Sequence, residues 1–160
     1  GYMEPLKNEI HPDMVKVWKV RAVIEEGIGI LVILAYLFLM IKFDWWAWIL
    51  YVLIGLTVAL APLEYFVFPK LRQRYYNYQL NEEELEIQHG LFVVKRVLVP
   101  MIRVQHVTIE QGPIMRKYGL AELHISTAAT SHSIPGLTMY EAEMLKTKIA
   151  ELAKVSDEDV

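Results

Sequence analysis

The chain has 160 residues, 54% of them hydrophobic and 22% charged, with a net charge of −3 and no cysteine. The charge balance offers no basic excess for nucleic acid, and the missing cysteines exclude disulfides and thiolate chemistry. The length admits a membrane hairpin and one small domain of about 90 residues.

Gly1 and Tyr2, ahead of Met3, read as a remnant before the natural start. Residues 1–21 are taken as a cytoplasmic N-terminal segment. Two apolar stretches then follow back to back. Residues 27–41 and 45–63 carry no charge, and only Lys42, Phe43 and Asp44 separate them. A helix rises about 1.5 Å per residue, so roughly 20 residues cross a hydrocarbon core of about 30 Å. The pattern predicts a transmembrane hairpin over 22–68, with spans near 22–41 and 45–68. A cleaved signal peptide fits poorly, because the first stretch is long and a second span follows at once. A buried soluble hairpin fits poorly too, because no polar face recurs at helical spacing.

Lys16, Lys19 and Arg21 precede the first span, and Lys70, Arg72 and Arg74 follow the second. Basic flanks stay cytoplasmic, so both termini are expected in the cytoplasm and the short turn outside the bacterial inner membrane. Trp45, Trp46 and Trp48 would form the outer aromatic belt, and Tyr65, Phe66 and Phe68 the inner one. Glu25, Glu26 and Glu64 fall near the span ends. They read as headgroup-level side chains, or as an intramembrane polar path, since carboxylates within a bilayer are costly and functional. Gly27, Gly29 and Gly55 form no GxxxG pair. Pro62 is expected to kink the second helix.

After Pro69 the hydrophobic period changes to two. Tyr76, Tyr78 and Leu80, then Leu85 and Ile87, predict two half-buried strands around a turn at 81–83. A tight turn at His89 and Gly90 leads to a third strand over 91–99, closed by Pro100. Ile102, Val104, His106 (or Val107) and Ile109 predict a fourth. Residues 121–127 predict a fifth, with Leu123 and Ile125 on one face, and 131–134 a short sixth before Pro135 and Gly136. Thr138 followed by Glu141 is a capping box that opens a helix. Ala142, Leu145, Ile149 and Leu152 form its buried stripe. The domain is placed at 69–155, and the acidic tail at 156–160 is expected to fray.

The run from Val99 through Arg103, Gln105 and His106, then Gln111, Gly112 and Pro113, Arg116, Gly119 to Ala121, and Ser126 to Ala128, resembles the bacterial pleckstrin-homology (PH)-like membrane proteins of the YdbS-like group. The likeness extends from about Val15 to Leu152, and Ala129 stands where relatives often carry Gly. It implies a membrane α + β fold: a transmembrane helical hairpin followed by a PH-like β-barrel or bent sheet capped by a C-terminal helix. It implies no enzyme activity, and a role in envelope maintenance or defence against membrane-active agents.

Arg103, Gln105, His106 and Arg116 are the expected interaction surface. Strand alternation puts Arg103 and Gln105 on one face and His106 on the other. They bind a partner or lipid headgroup, or else Arg103 and Gln105 tie down loop backbone while His106 packs. His89, His106, His124 and His132 match no zinc spacing, and Ser131, His132 and Ser133 lack the setting of a nucleophile. No metal, cofactor or catalytic residue is expected. Nor is a phosphoinositide, since Glu82, Glu83 and Glu84 occupy the first strand-to-strand turn and would repel a phosphorylated headgroup. Lys95, Arg96, Arg116 and Lys117 could make a modest basic patch, but residues 70–160 carry 11 bases against 12 acids.

The expected function is a non-enzymatic assembly module. Its partners are the lipid bilayer and a second membrane protein, such as a longer PH-like relative, or another copy of the chain; nucleic acid is not among them. The alternatives are a lipid-binding or lipid-transport protein, or an accessory subunit of a transporter.

Overall fold

A computed structural model describes residues 6–158, which divide into two units. One is Trp18–Lys70; the other joins the described residues up to Val17 with those from Leu71 onward. Gly1 and Tyr2, and Asp159 and Val160 of the expected tail, lie outside the described residues.

The Trp18–Lys70 unit is built from two helices that are apolar all round. The helix α1 spans Met14–Phe43. A second continuous helix, Ala47–Arg74, comprises α2 (Ala47–Pro62), a π turn (Leu63–Val67) and α3 (Phe68–Arg74). At 30 and 28 residues they are about 45 Å and 42 Å long, more than enough to span a bilayer. Their most apolar windows are 0% and 6% buried, unlike core helices of a water-soluble protein. The Tyr36 hydroxyl donates to the Trp46 carbonyl at 2.7 Å, and Lys19 Nζ lies 5.1 Å from the centre of the Tyr65 ring. Those contacts join opposite ends of the two helices and define an antiparallel hairpin. Pro62 is followed by the π turn, in which the Phe68 N–H reaches back to the Leu63 carbonyl. The wider turn accommodates a residue that has no N–H and whose ring crowds the preceding turn.

In the other unit, the described residues form two antiparallel sheets. Strands β1 (Asn8–Glu9), β2 (Asn77–Leu80), β3 (Glu84–His89) and β4 (Lys95–Pro100) pair in that order. Strands β5 (Val104–Glu110), β6 (Leu120–Thr127) and β7 (Ser131–Thr138) form the second sheet, also in chain order. A short helix α4 (Pro113–Lys117) links β5 to β6, and α5 (Met139–Glu158) follows β7. This is the membrane α + β architecture expected from the sequence. The core joins Leu85, Ile87 and Val99 from the first sheet, Leu123, Ile125, Ile134 and Leu137 from the second, and Ala142 and Ile149 from α5, all at most 1% exposed. The capping box forms in both directions: Glu141 N–H donates to Thr138 Oγ1 at 3.1 Å, and Thr138 N–H to Glu141 Oε1 at 3.3 Å.

Five details depart from the sequence reading. The described residues up to Val17 are not separate from the domain: they supply β1 and the first turn of α1, and bury Ile10, Met14 and Val17 completely or nearly so. The expected third strand begins only at Lys95, and residues 91–94 form the connection between β3 and β4. Arg103 ends a 3₁₀ turn (Met101–Arg103) and is not on the fourth strand. The last strand runs through Pro135 and Gly136 to Thr138, because a bulge there takes up a proline that cannot donate and a glycine at φ 71°. The acidic tail is helical as far as Glu158.

Candidate interaction surface

Strand β5 lies at the edge of the second sheet, and among the described residues it pairs with β6 alone. Val104 opposes Thr127 while His106 opposes Ser126, so Gln105 is the extra residue of a bulge. The bulge cancels the simple alternation across these positions, and Arg103, Gln105 and His106 are all exposed. None of the three side chains makes a hydrogen bond or ion pair to another described residue. Arg103 and Gln105 therefore do not tie down loop backbone, and His106 is not packed. Arg116 is exposed on α4, where its Nη2 lies 3.5 Å from the Gln111 carbonyl. It follows the far end of β5, about 20 Å of strand from Arg103, so the four residues do not converge on one spot.

Beyond the bulge the register sets a polar face opposite the core. His106, Thr108 and Glu110 on β5 stand against Ser126, His124 and Glu122 on β6, and His124 and Ser126 against Ser133 and Ser131 on β7. The next residues along, Val107, Ile109, Leu123 and Ile125, turn inward. His124 Nε2 lies 3.2 Å from both Glu110 Oε2 and Glu122 Oε2, making a carboxylate–imidazole–carboxylate row across the two strands. Sequence reasoning passed over Glu110 and Glu122, and weighed His124 only as a metal ligand. Their signal was the alternation of Glu122, His124 and Ser126 with buried neighbours, which marks one face but not the side chains that meet across it.

At the rim, the Tyr76 hydroxyl donates to the Ser133 carbonyl at 2.7 Å, and the ring stacks on His89 with centroids 5.5 Å apart. Burial, reinforced by the Glu122 charge and opposed by the hydrogen bond, pushes the Tyr76 phenol up to about 12. Burial, with Lys95 and His132 adding to it, holds the His89 imidazole below its usual value. Among the described residues no three His, Cys, Asp or Glu side chains are arranged to hold a metal ion. The acidic turn before β3 is folded by Asn81, whose Oδ1 accepts the N–H groups of Glu83 and Glu84 at 3.0 and 2.9 Å. Glu82 and Glu83 are exposed there.

Within the helical unit, the Glu64 and Glu26 side chains lie against one another, with Glu25 close by. Of the three carboxylates read from the sequence, the hairpin thus brings one from each helix into contact.

Residues 20–153 match the family described as Bacterial PH domain. The chain belongs to this family. It is 45% identical over 157 residues to the UPF0699 transmembrane protein YdbS of Bacillus subtilis (strain 168), covering 98% of this chain and 99% of that protein. The UPF0699 transmembrane protein YdbT of the same organism is 25% identical over 83 residues, 49% of this chain but 17% of that protein. No solved structure matches the chain. Membership of the bacterial PH family explains why one chain carries both a helical hairpin and a two-sheet domain, and a fold shared so widely assigns no ligand by itself.

Proposed function

We propose that this bacterial PH-domain protein is a non-enzymatic assembly module of the cell membrane. It crosses the membrane twice, with both termini and the domain in the cytoplasm. Lys16, Lys19 and Arg21 in the first turns of α1, and Lys70, Arg72 and Arg74 in the last turns of the second helix, support that orientation. The observation that carries the proposal is the β5 edge, where, among the described residues, exposed side chains without hydrogen-bond partners flank a strand paired on one side only. Such an edge accepts another strand by main-chain pairing while its side chains select the partner. The partner favoured is a longer membrane protein with PH-like domains, and the likeness of about half this chain to a small fraction of YdbT supports a partner of that kind. The process served, envelope maintenance or defence against membrane-active agents, is carried over from the family resemblance.

A photoreactive residue at His106 in the full chain tests this in native membranes. Cross-linking to a second membrane protein is expected at His106 and not at Glu82 on the acidic turn. Equal labelling at both positions would count against the β5 edge.

The contact between Glu26 and Glu64 favours a second reading, in which the hairpin handles a lipid or passes a proton or cation. Replacing both by Gln would then abolish function while complex formation persists.

A further inference from the structure

The register of the first sheet divides its polypeptide connections between two ends. Glu9 stands opposite Asn77, Asn77 opposite Gln88, and His89 opposite Lys95. At this end the chain leaves β1 toward the first apolar helix and enters β2 from the second. The β3–β4 connection closes at the same end. At the other end, Leu80 stands opposite Leu85 and Glu84 opposite Pro100, and the acidic turn connects β2 to β3.

The β3–β4 connection reads Leu91, Phe92, Val93, Val94, and it holds Phe92 76% and Val93 72% exposed. Adjacent exposed apolar side chains at a hairpin tip offer a surface for binding. The tip is tightly folded: Gly90 sits at φ 148°, and a Cβ there would collide with the Val93 carbonyl oxygen. Exposed Lys95 and Arg96 follow at once, and Arg72 and Arg74 end the helix that leads into β2. The sheet is therefore polarised. Bases and projecting apolar side chains share the end that receives both chain crossings, and Glu82, Glu83 and Glu84 share the other.

We propose that the β3–β4 tip is a third membrane contact, in which Phe92 and Val93 enter the boundary between headgroups and acyl chains of an anionic leaflet while Lys95 meets lipid phosphate. The chemistry matches such a surface: apolar side chains partition into the boundary, and adjacent bases are drawn to its negative potential. The contact would restrain rotation of the domain about its two covalent links and keep the acidic end away from the lipid. It rests on the reading of Trp18–Lys70 as membrane-spanning.

The absence of cysteine makes the test direct. Single variants Phe92→Cys, Val93→Cys, Glu82→Cys and Val58→Cys of the full chain are labelled with an environment-sensitive fluorophore. Each is reconstituted into phosphatidylcholine vesicles with and without phosphatidylglycerol. Labels at 92 and 93 are expected to be quenched by doxyl-labelled lipid and shielded from aqueous iodide, more so with phosphatidylglycerol. The label at 82 should show the reverse. Lys95→Glu should lose the phosphatidylglycerol-dependent part of the lipid quenching. Iodide quenching at 92 and 93 equal to that at 82, with lipid quenching retained at 58, would overturn the third contact alone. Shielding at 92 and 93 from both quenchers would assign the tip to a protein contact between copies and also overturn it. Loss of lipid quenching at 58 would overturn the spanning reading and this proposal with it.

Discussion

A Cβ built on Gly136 would lie 3.0 Å from the Met14 Cβ, so strand β7 approaches the start of α1 as closely as a bare α-carbon allows. Ile10 is equally near, at 3.1 Å, and the His11 N–H donates to the Gly136 carbonyl at 2.7 Å. Gln73, beyond the hairpin in sequence, donates through Nε2 to the Ile10 carbonyl at 3.0 Å. The residues before the first helix thus belong to the folded domain. Gly136→Ala combines a left-handed backbone with a tight contact, and a loss of about 1–3 kcal/mol is expected. Ile10→Ala, which empties a buried site, should cost about 2–5 kcal/mol. Denaturant unfolding of the purified chain, followed by near-ultraviolet circular dichroism, measures both; an unchanged midpoint for Ile10→Ala would contradict the assignment.

The helix α5 depends on the reciprocal bonds between Thr138 and Glu141. Thr138→Ala should lower stability by about 1 kcal/mol, and Thr138→Ser should largely preserve it. The same unfolding measurement distinguishes them.

Gln88 is 2% exposed, and its Oε1 accepts from Arg96 Nε at 3.1 Å and Nη2 at 2.6 Å. Arg96→Met would leave that oxygen without its charged donor, at an expected cost of about 1–3 kcal/mol. Pairing it with Gln88→Met should recover much of the loss. A double-mutant cycle reads the coupling, and strictly additive losses would show that the pair does not interact.

Tyr76 and Tyr78 both titrate late because burial disfavours the phenolate. For Tyr76 the folded value is about 12 against 10.0 for the free side chain, so the folded state holds its proton more tightly than the unfolded state. Its contribution is complete below pH 10 and declines by roughly 1.4 kcal/mol per pH unit as pH rises toward 12. Unfolding measured from pH 9 upward, with Tyr76→Phe as the comparison, should show a shallower alkaline decline in the variant.

His89 acts on the acid side. Its folded value is lowered, so the unfolded chain takes up the proton first and stability falls as pH drops below about 6.5. His89→Phe retains a ring against Tyr76 and should flatten the decline between pH 6.5 and 5 in the same titration.

The features legible in the sequence are those that repeat. The two spans follow from uncharged length, and β2, β3 and β6 from alternation such as Leu85 with Ile87 and Leu123 with Ile125. The stripe from Ala142 to Ile149 gives α5. Strand β1 is not legible, because Asn8 and Glu9 are two polar residues that become a strand only by pairing with Tyr78 and Asn77. Residues 91–94 read as strand because Leu, Phe and Val favour one, while the tight turn at Gly90 decides otherwise. The bulge at Gln105 depends on register against β6, and one inserted residue leaves no periodic mark. It also decides the candidate surface, since it brings Gln105 and His106 out together. The meeting of Glu110, Glu122 and His124 is likewise a product of strand pairing.

The central claim is that the domain assembles with another membrane protein. A mild-detergent pull-down of the tagged full chain from its native membrane, with mass spectrometry of co-purifying proteins and lipids, tests it most directly. The predicted result is a stoichiometric, longer membrane protein with PH-like domains, lost when His106→Glu and Gln105→Pro are combined in a normally folded chain. Recovery of the chain without a protein partner, with one lipid species strongly enriched, would contradict the assembly role and point to the carboxylates Glu26 and Glu64.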